Sequence, residues 1–328
     1  MSQFDLAAPI NHNPKVHSEG YRVLKKLGGG SYAMVYLTEL YNETDREKPV
    51  ERLACKIIDI RFVPDEFVDK FLPRELKILR QLRHPHIIHI HSIYKKNSRY
   101  LIFMRYAERG DLLDYILRRG PIPEGQSRIW TKQVALALQY MHELEIAHRD
   151  LKCENILITS NFNVKLADFG FSRCVVNNKG LRMLSETYCG STAYSAPEIL
   201  KGIPYNPKVS DIWSLGVLIY VMLNKAMPFE ETNVKKLYER QIKKNWKFKA
   251  KVESVLSDQV KNLLENILEP NVHKRYTISE VVTSGWMFMD HRTLHMTEME
   301  TLALVKAKEE RRKMDEEIFS AKNDRKKK

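Results

Sequence analysis

His148-Arg149-Asp150-Leu151-Lys152-Cys153-Glu154-Asn155, followed thirteen residues after Asn155 by Asp168-Phe169-Gly170, is the stretch on which the reading of this 328-residue chain turns. Transfer of a phosphoryl group asks little covalent help of a protein. It asks for oxygens that hold metal, an oriented nucleophile, and cations against the charge that moves. Asp150 can accept the proton of an attacking hydroxyl, Asp168 and Asn155 can hold Mg²⁺, and Lys152 can neutralise charge on the transferred group. A merely polar loop is the alternative reading.

Upstream, Gly28-Gly29-Gly30-Ser31-Tyr32-Ala33-Met34-Val35 lies between two predicted strands, where glycines let backbone N–H groups approach a polyphosphate closely. Alone, it reads equally as a plain glycine-rich turn; the strand that follows it argues against a dinucleotide fold, which needs a helix there. Leu53-Ala54-Cys55-Lys56 places a lysine in an apolar strand. An unpaired ammonium there is costly, so it needs an anionic partner, and Glu75 in Phe71-Leu72-Pro73-Arg74-Glu75-Leu76 is the candidate. An exposed lysine at a sheet edge is the alternative. Downstream come Thr187-Tyr188-Cys189-Gly190-Ser191, Ala196-Pro197-Glu198, Asp211-Ile212-Trp213-Ser214-Leu215-Gly216 and His273-Lys274-Arg275, each of which alone reads as a turn or a helix start.

The periodicity around these motifs changes along the chain. Residues 1–20 are polar and punctuated by Pro and Asn, a flexible arm. Tyr21–Leu27, Val35–Leu40, Leu53–Asp59 and Tyr100–Tyr106 are short β-type runs that predict a small, mainly antiparallel sheet, interrupted by a helix at about Asp65–Leu82. Arg105–Gly110 suits a hinge. Beyond it helical spacing dominates, as in Ser127–Leu144. The expectation is an α+β, two-lobed protein: a sheet lobe over 21–106, a helical lobe over 107–290, and a basic tail over 291–328. Between Lys306 and Lys328, ten basic and six acidic residues are mixed around few large apolar side chains, which predicts a frayed, solvated helix rather than an autoinhibitory or calmodulin-binding one.

Hydrophobic residues at 43% and charged residues at 29% are ordinary globular values. The net charge of +13 is spread over several basic runs, of which only Lys243–Lys251 interleaves aromatics, so nucleic acid is not the expected partner. The four cysteines form no CxxC pair and read as reduced thiols. No stretch has the roughly 18 apolar residues of a membrane span, and residues 1–15 lack the apolar segment of a secretion signal. A cytoplasmic monomer, with nuclear access open, is the expectation.

Taken in order, the glycine loop, strand lysine, catalytic loop, Asp168-Phe169-Gly170 and Ala196-Pro197-Glu198 resemble the protein kinase signature from about Tyr21 to Met289. Within that superfamily, Phe71-Leu72-Pro73-Arg74-Glu75, the catalytic loop, Gly202-Ile203-Pro204-Tyr205-Asn206-Pro207-Lys208-Val209 and Asp211–Val217 are similar to segments of the testis-specific serine kinases, which implies a role in developing sperm. The resemblance implies ATP and Mg²⁺ as cofactors and protein Ser/Thr hydroxyls as acceptors. It implies Asp150, Lys152, Asn155, Lys56 and Glu75 as catalytic, and Asn155 and Asp168 as metal ligands. Nucleotide contacts fall to Leu27, Gly28, Gly29, Gly30, Ser31, Tyr32, Ala33, Val35, Ala54 and Lys56, to Met104 as gatekeeper, to the backbone of Arg105 and Ala107, and to Asp111 at the ribose.

The same resemblance places Arg275 opposite Glu198 in a buried ion pair, Ser191 as a hydroxyl bonding Lys152 and Asp150, and Thr187 as an activating phosphorylation site clamped by Arg149 and Arg173, with an upstream kinase as partner; the activation segment is 168–198. There are departures. Ala33 replaces the third loop glycine, and Thr192, Ser195 and Val221 stand where better-known basophilic kinases carry other residues. Asp111 and Glu154 could still favour arginine on the N-terminal side of the target hydroxyl. The rival readings are a pseudokinase scaffold, which usually lacks one of Lys56, Glu75, Asp150, Asn155 or Asp168, and a small-molecule phosphotransferase, against which the Ala196-Pro197-Glu198 segment argues.

Overall fold

A computed structural model describes residues 20–326 except 31, 43–47, 178–180, 182 and 187–189, with the backbone alone at 319 and 321–326. The chain divides into two compact units, Met1–Pro73 with Ile88–Glu108, and Arg74–Ile87 with Arg109–Lys328. The helix after β3 was expected to belong wholly to the sheet lobe. From Arg74 on it goes with the helical unit, because the turn that follows it is bonded there: Arg83 N–H donates to Tyr140 Oη at 2.9 Å and Leu166 N–H to the His86 carbonyl at 2.8 Å.

In the first unit, β1 (Tyr21–Gly29), β2 (Met34–Tyr41), β3 (Pro49–Asp59), β4 (Ile90–Lys96) and β5 (Arg99–Arg105) form a five-stranded antiparallel sheet in the order β1-β2-β3-β5-β4. Successive side chains along a strand point to opposite faces, so each strand divides its residues between two surfaces. One surface is the core of this unit: Tyr21, Tyr36, Leu53, Cys55, Ile57, Leu101 and Phe103 are buried together, with Tyr21 stacked on Phe103 at a centroid distance of 3.9 Å. The register places Ala54 beside Met104, and Lys56 between Val35 and Ile102, on the other surface. Four of the expected nucleotide positions thus share one face because the core residues claim the opposite one.

The helix expected at Asp65–Leu82 begins instead as one π-helical turn, Phe67–Phe71, and continues as α1 (Leu72–Gln81). The second unit follows: α2 (Leu112–Arg119), α3 (Glu124–Glu143), the short antiparallel pairs β6 (Ile146–Ala147) with β9 (Arg173–Cys174) and β7 (Ile156–Ile158) with β8 (Val164–Leu166), then α4 (Pro207–Asn224), α5 (Val234–Ile242), α6 (Asp258–Ile267) and α7 (Ile278–Val282). α3 and α4 are buried nearly all round and form the core; α4 is apolar on almost every side, whereas α3 also buries Lys132 and Gln133, which are hydrogen-bonded to the Val282 carbonyl and to Asn163. Gly216 lets α4 meet the end of α6 closely: a methyl group there would lie 2.4 Å from Ile267 Cγ2. The expected solvated tail is α8 (Glu298–Lys326), packed against α3 with Ala303 and Ala307 buried. No described helix is long and apolar enough to cross a membrane.

Candidate active site

The turn between β1 and β2 is closed by a hydrogen bond from Gly30 N–H to the Ala33 carbonyl at 2.9 Å, with Gly28 opposite Val35 and Gly29 opposite Met34. Leu27 lies at a bulge in β1, and the Tyr32 ring packs on Phe67 at 4.7 Å. Lys56 is half-buried on β3, the middle strand of the sheet, which removes the sheet-edge alternative. Arg105 is exposed beside Glu108 at 3.6 Å, and its N–H donates to the His89 carbonyl; its side chain lies away from the face that carries Met104. Ala107 is buried. Ser31 lies outside the described residues.

In the second unit, α3 ends at Glu143 and the chain passes through Glu145 and β6 into the catalytic loop. Arg149 adopts φ +71°, a conformation disfavoured for a residue with a side chain. The loop is held in it by Asp211 of α4, 1% exposed, whose carboxylate accepts N–H bonds from His148 at 2.9 Å and Arg149 at 2.8 Å, and the His142 Nε2–H at 3.0 Å. The sequence reading quoted Asp211 without giving it a task; its signal was the acid opening an otherwise apolar helical run.

Asp150 is 4% exposed and fully engaged. Its Oδ2 lies 2.9 Å from Lys152 Nζ and accepts Asn155 Nδ2–H at 3.0 Å, while its Oδ1 accepts the Ser191 N–H at 3.1 Å. Asn155 Nδ2 also donates to the Asp150 carbonyl at 2.7 Å, which fixes the amide with its oxygen turned away from Asp150, as a metal ligand requires. Lys152 donates to Ser191 Oγ at 3.1 Å. The hydroxyl expected to bond both residues therefore bonds Lys152, and the backbone N–H of Ser191 bonds Asp150. Gly190, at φ +87°, makes this approach possible: a methyl group there would lie 2.7 Å from the Arg149 carbonyl.

Asp168 follows β8 at φ +58° and is exposed, whereas Phe169 is buried edge-on against the His148 ring at 5.3 Å. Ala167 ties this segment to the catalytic loop, its N–H donating to the Asn155 carbonyl at 2.9 Å and its carbonyl accepting His148 Nε2–H at 3.1 Å. The backbone of Asn155 is thus bonded to the residue that immediately precedes Asp168. Glu75 of α1 is buried, with its Oε2 3.7 Å from where a Cβ on Gly170 would stand. Among the described residues no cluster of three or more His, Cys, Asp or Glu could hold a metal unaided. That donor set suits Mg²⁺, which takes one or two protein oxygens and completes its shell with phosphate and water.

Asp111 caps α2, its Oδ1 accepting Asp114 N–H at 2.9 Å, and Glu154 is exposed. Ser195 and Val221 are buried, at 3% and 5%, so neither offers a side chain to a peptide in solvent. Thr187 lies outside the described residues. Arg149 and Arg173 are joined by an arginine the sequence reading passed over: burial first, then the charges of Arg173 and Arg149, hold the Arg74 guanidinium below its usual range. Arg74 immediately precedes Glu75, whose stronger signal masked it. Glu198 and Arg275 form the expected buried pair, bidentate at 2.8 and 2.9 Å, with Ser210 Oγ–H donating to Glu198 at 2.8 Å.

A sheet unit with a glycine turn and a strand lysine, and a helical unit that ties an acid, a lysine and an asparagine to a second acid, define a protein kinase, and the family model "Protein kinase domain" matches residues 21–287. The chain belongs to the protein kinase family, and within it to the testis-specific serine/threonine kinases. It is 41% identical to the testis-specific serine/threonine-protein kinase 2 of Mus musculus over 83% of this chain and 74% of that protein. It is 42% identical to kinase 1 of Homo sapiens over 82% and 71%, and 41% identical to kinase 3 of Mus musculus over 82% and 97%.

Proposed function

We propose that the chain is a catalytically competent serine/threonine kinase that transfers the γ-phosphoryl group of ATP to protein hydroxyls and serves in developing sperm; its relatives' names, which say testis-specific, support the tissue. The observation that carries the reading is the engaged Asp150 carboxylate: Lys152, Asn155 and the Ser191 N–H fix both of its oxygens, so it is oriented to receive the proton of an incoming hydroxyl. Lys152, bonded to Ser191 and beside Asp150, would neutralise charge developing on the transferred group. Asn155 and Asp168 would hold Mg²⁺, which when bound would supply electrostatic neutralisation of the phosphates. Val35, Ala54, Lys56 and Met104, which share one sheet face, would take the nucleotide, with main-chain groups of Arg105 and Ala107 at the adenine.

Activation by an upstream kinase at Thr187 belongs to the same proposal. A phosphate carries about −1.5 to −2 charges at neutral pH. The charges of Arg173 and Arg149 act on Arg74, and a phosphate near the three would be drawn by their combined positive charge. The protein is read as a cytoplasmic monomer, in keeping with the described cysteines being free thiols.

The test is transfer of labelled γ-phosphate from ATP–Mg²⁺ to a generic basic protein by the native chain, Asp168→Asn and Thr187→Ala. Transfer that Asp168→Asn abolishes and Thr187→Ala reduces is the expected result. No transfer, even after treatment with an activating kinase, replaces this reading with a scaffold that binds partners without catalysis.

A further inference from the structure

α8 begins eleven residues beyond the end of the family match at 287, yet it is built into the catalytic unit at two points. The first is its N-terminus. Glu300 is 7% exposed; its Oε2 accepts the Thr297 N–H at 2.7 Å, and its own N–H donates to Thr297 Oγ1 at 3.3 Å, a reciprocal cap that fixes where the helix starts. Its other oxygen accepts the Nε2–H of His86, itself 7% exposed, at 2.5 Å. His86 lies in the turn after α1, and its carbonyl accepts the Leu166 N–H at 2.8 Å. Leu166 is followed by Ala167, bonded to Asn155 and His148, and by Asp168. A short chain of hydrogen bonds thus runs from Glu300 to the backbone that carries both metal-ligand candidates.

The second point is one face further along. Ala303 and Ala307 let α8 lie close on α3, and on the same stripe Arg311 pairs with Glu145 and with Asp315 at 2.9 Å. Glu145 is 3% exposed and holds φ +56° at the joint between α3 and the catalytic loop. Its carbonyl accepts the Val175 N–H at 2.8 Å, just beyond β9, and Lys208 Nζ lies 2.6 Å from its other carboxylate oxygen. A buried carboxylate in a strained backbone requires cations, and α8 supplies one of the two.

We propose that Glu300 and Arg311 are positioning residues for phosphoryl transfer: the C-terminal helix holds the turn after α1 and the root of the catalytic loop, and through them Asp168 and Asp150. The inference rests on the kinase reading. It makes α8 part of the working enzyme rather than an appendage, and it requires that loosening either contact lower turnover without weakening substrate binding.

The experiment uses the full chain with Glu300→Ala, Glu300→Gln, Arg311→Ala, Arg311→Lys and, on the exposed face of α8, Glu309→Ala. Steady-state kinetics well below the unfolding temperature are combined with hydrogen exchange at the Leu166 and Val175 amides. Expected are a roughly 3- to 30-fold lower kcat for the two alanine variants at unchanged KM for ATP and peptide, partial rescue by the conservative variants, and native behaviour of Glu309→Ala. Exchange should quicken at Leu166 in Glu300→Ala and at Val175 in Arg311→Ala. Unchanged kcat with a lowered Tm would reduce α8 to a stabilising element and overturn the proposal. Should the native chain transfer no phosphate, the kinase reading fails, while unchanged exchange at both amides still overturns the coupling and quickened exchange still supports it; if alanine variants do not fold, the Gln and Lys variants decide by the same two readouts.

Discussion

Arg275 shows what one buried charge demands. Its guanidinium is fully enclosed and spends its donors on Glu198, the Val209 carbonyl at 3.1 Å and the Glu269 carbonyl at 2.9 Å, while lying 5.1 Å over the Trp213 ring. Replacing it by Met strands the Glu198 carboxylate, and urea unfolding should show a loss of about 3–5 kcal/mol. A loss under about 1 kcal/mol would mean that water reaches the carboxylate. At the cluster of Arg74, Arg149 and Arg173, the activation proposed above requires that Arg74→Ala blunt any stimulation gained by phosphorylating Thr187, measured as the ratio of phosphorylated to unphosphorylated rates. Single residues were legible wherever their chemistry was costly to place otherwise: Lys56 in an apolar strand, and Asp150 and Asn155 five residues apart. Asp211 and Arg74 were not, because an acid near the start of a helix and an arginine beside Glu75 have ordinary uses, and only the fold shows what they touch.

Among elements, the close approach of α4 to α6 gives the sharpest forecast. Gly216→Ala places a methyl group 2.4 Å from Ile267 Cγ2 and 2.9 Å from Leu268 Cδ2, so α6 must shift, and thermal or urea unfolding should show about 1–3 kcal/mol of destabilisation. The strands of the core were readable because aliphatic and aromatic residues alternate in them. β4, Ile-His-Ser-Ile-Tyr-Lys-Lys, escaped because as an edge strand it alternates only weakly between buried and exposed. α8 escaped for a different reason. Its fully buried positions are Glu300, Ala303 and Ala307, one charge and two methyl groups, and the half-buried Leu304, Arg311, Met314 and Ile318 add only scattered apolar bulk, so the apolar periodicity of the face that packs on α3 is weak.

For the molecule as a whole, the ionised state of buried acids sets its response to pH. The Asp59 carboxyl is held well below its usual range by Arg61 and Arg99, that of Asp290 by Arg292, and that of Glu300 at about 2 by His86 and the Thr297 backbone against the cost of burial. Burial also pushes His84 down to about 3, where it stays neutral. In each case the folded value lies below the unfolded one, so the unfolded chain binds more protons as pH falls and stability is lost on acidification. Tm should be flat between about pH 7 and 8, decline from about 6.5 as His84 is called on to charge, and fall more steeply below about 4.5 as the carboxylates titrate; above about 8.5 it should fall again, because burial pushes the Cys55 and Cys153 thiols up and only the unfolded chain ionises them there. A Tm that rose between pH 7 and 5 would contradict this assignment.

The claim on which the account stands is that Asp150, held by Lys152, Asn155 and Ser191, receives the hydroxyl proton while other residues bind the nucleotide. Single-turnover transfer of labelled γ-phosphate to a serine peptide, with nucleotide binding followed in the same samples, tests it on the native chain and Asp150→Asn. The account predicts that Asp150→Asn binds ATP–Mg²⁺ as the native chain does and transfers phosphate at least about 100-fold more slowly. Transfer at the native rate by Asp150→Asn would contradict it.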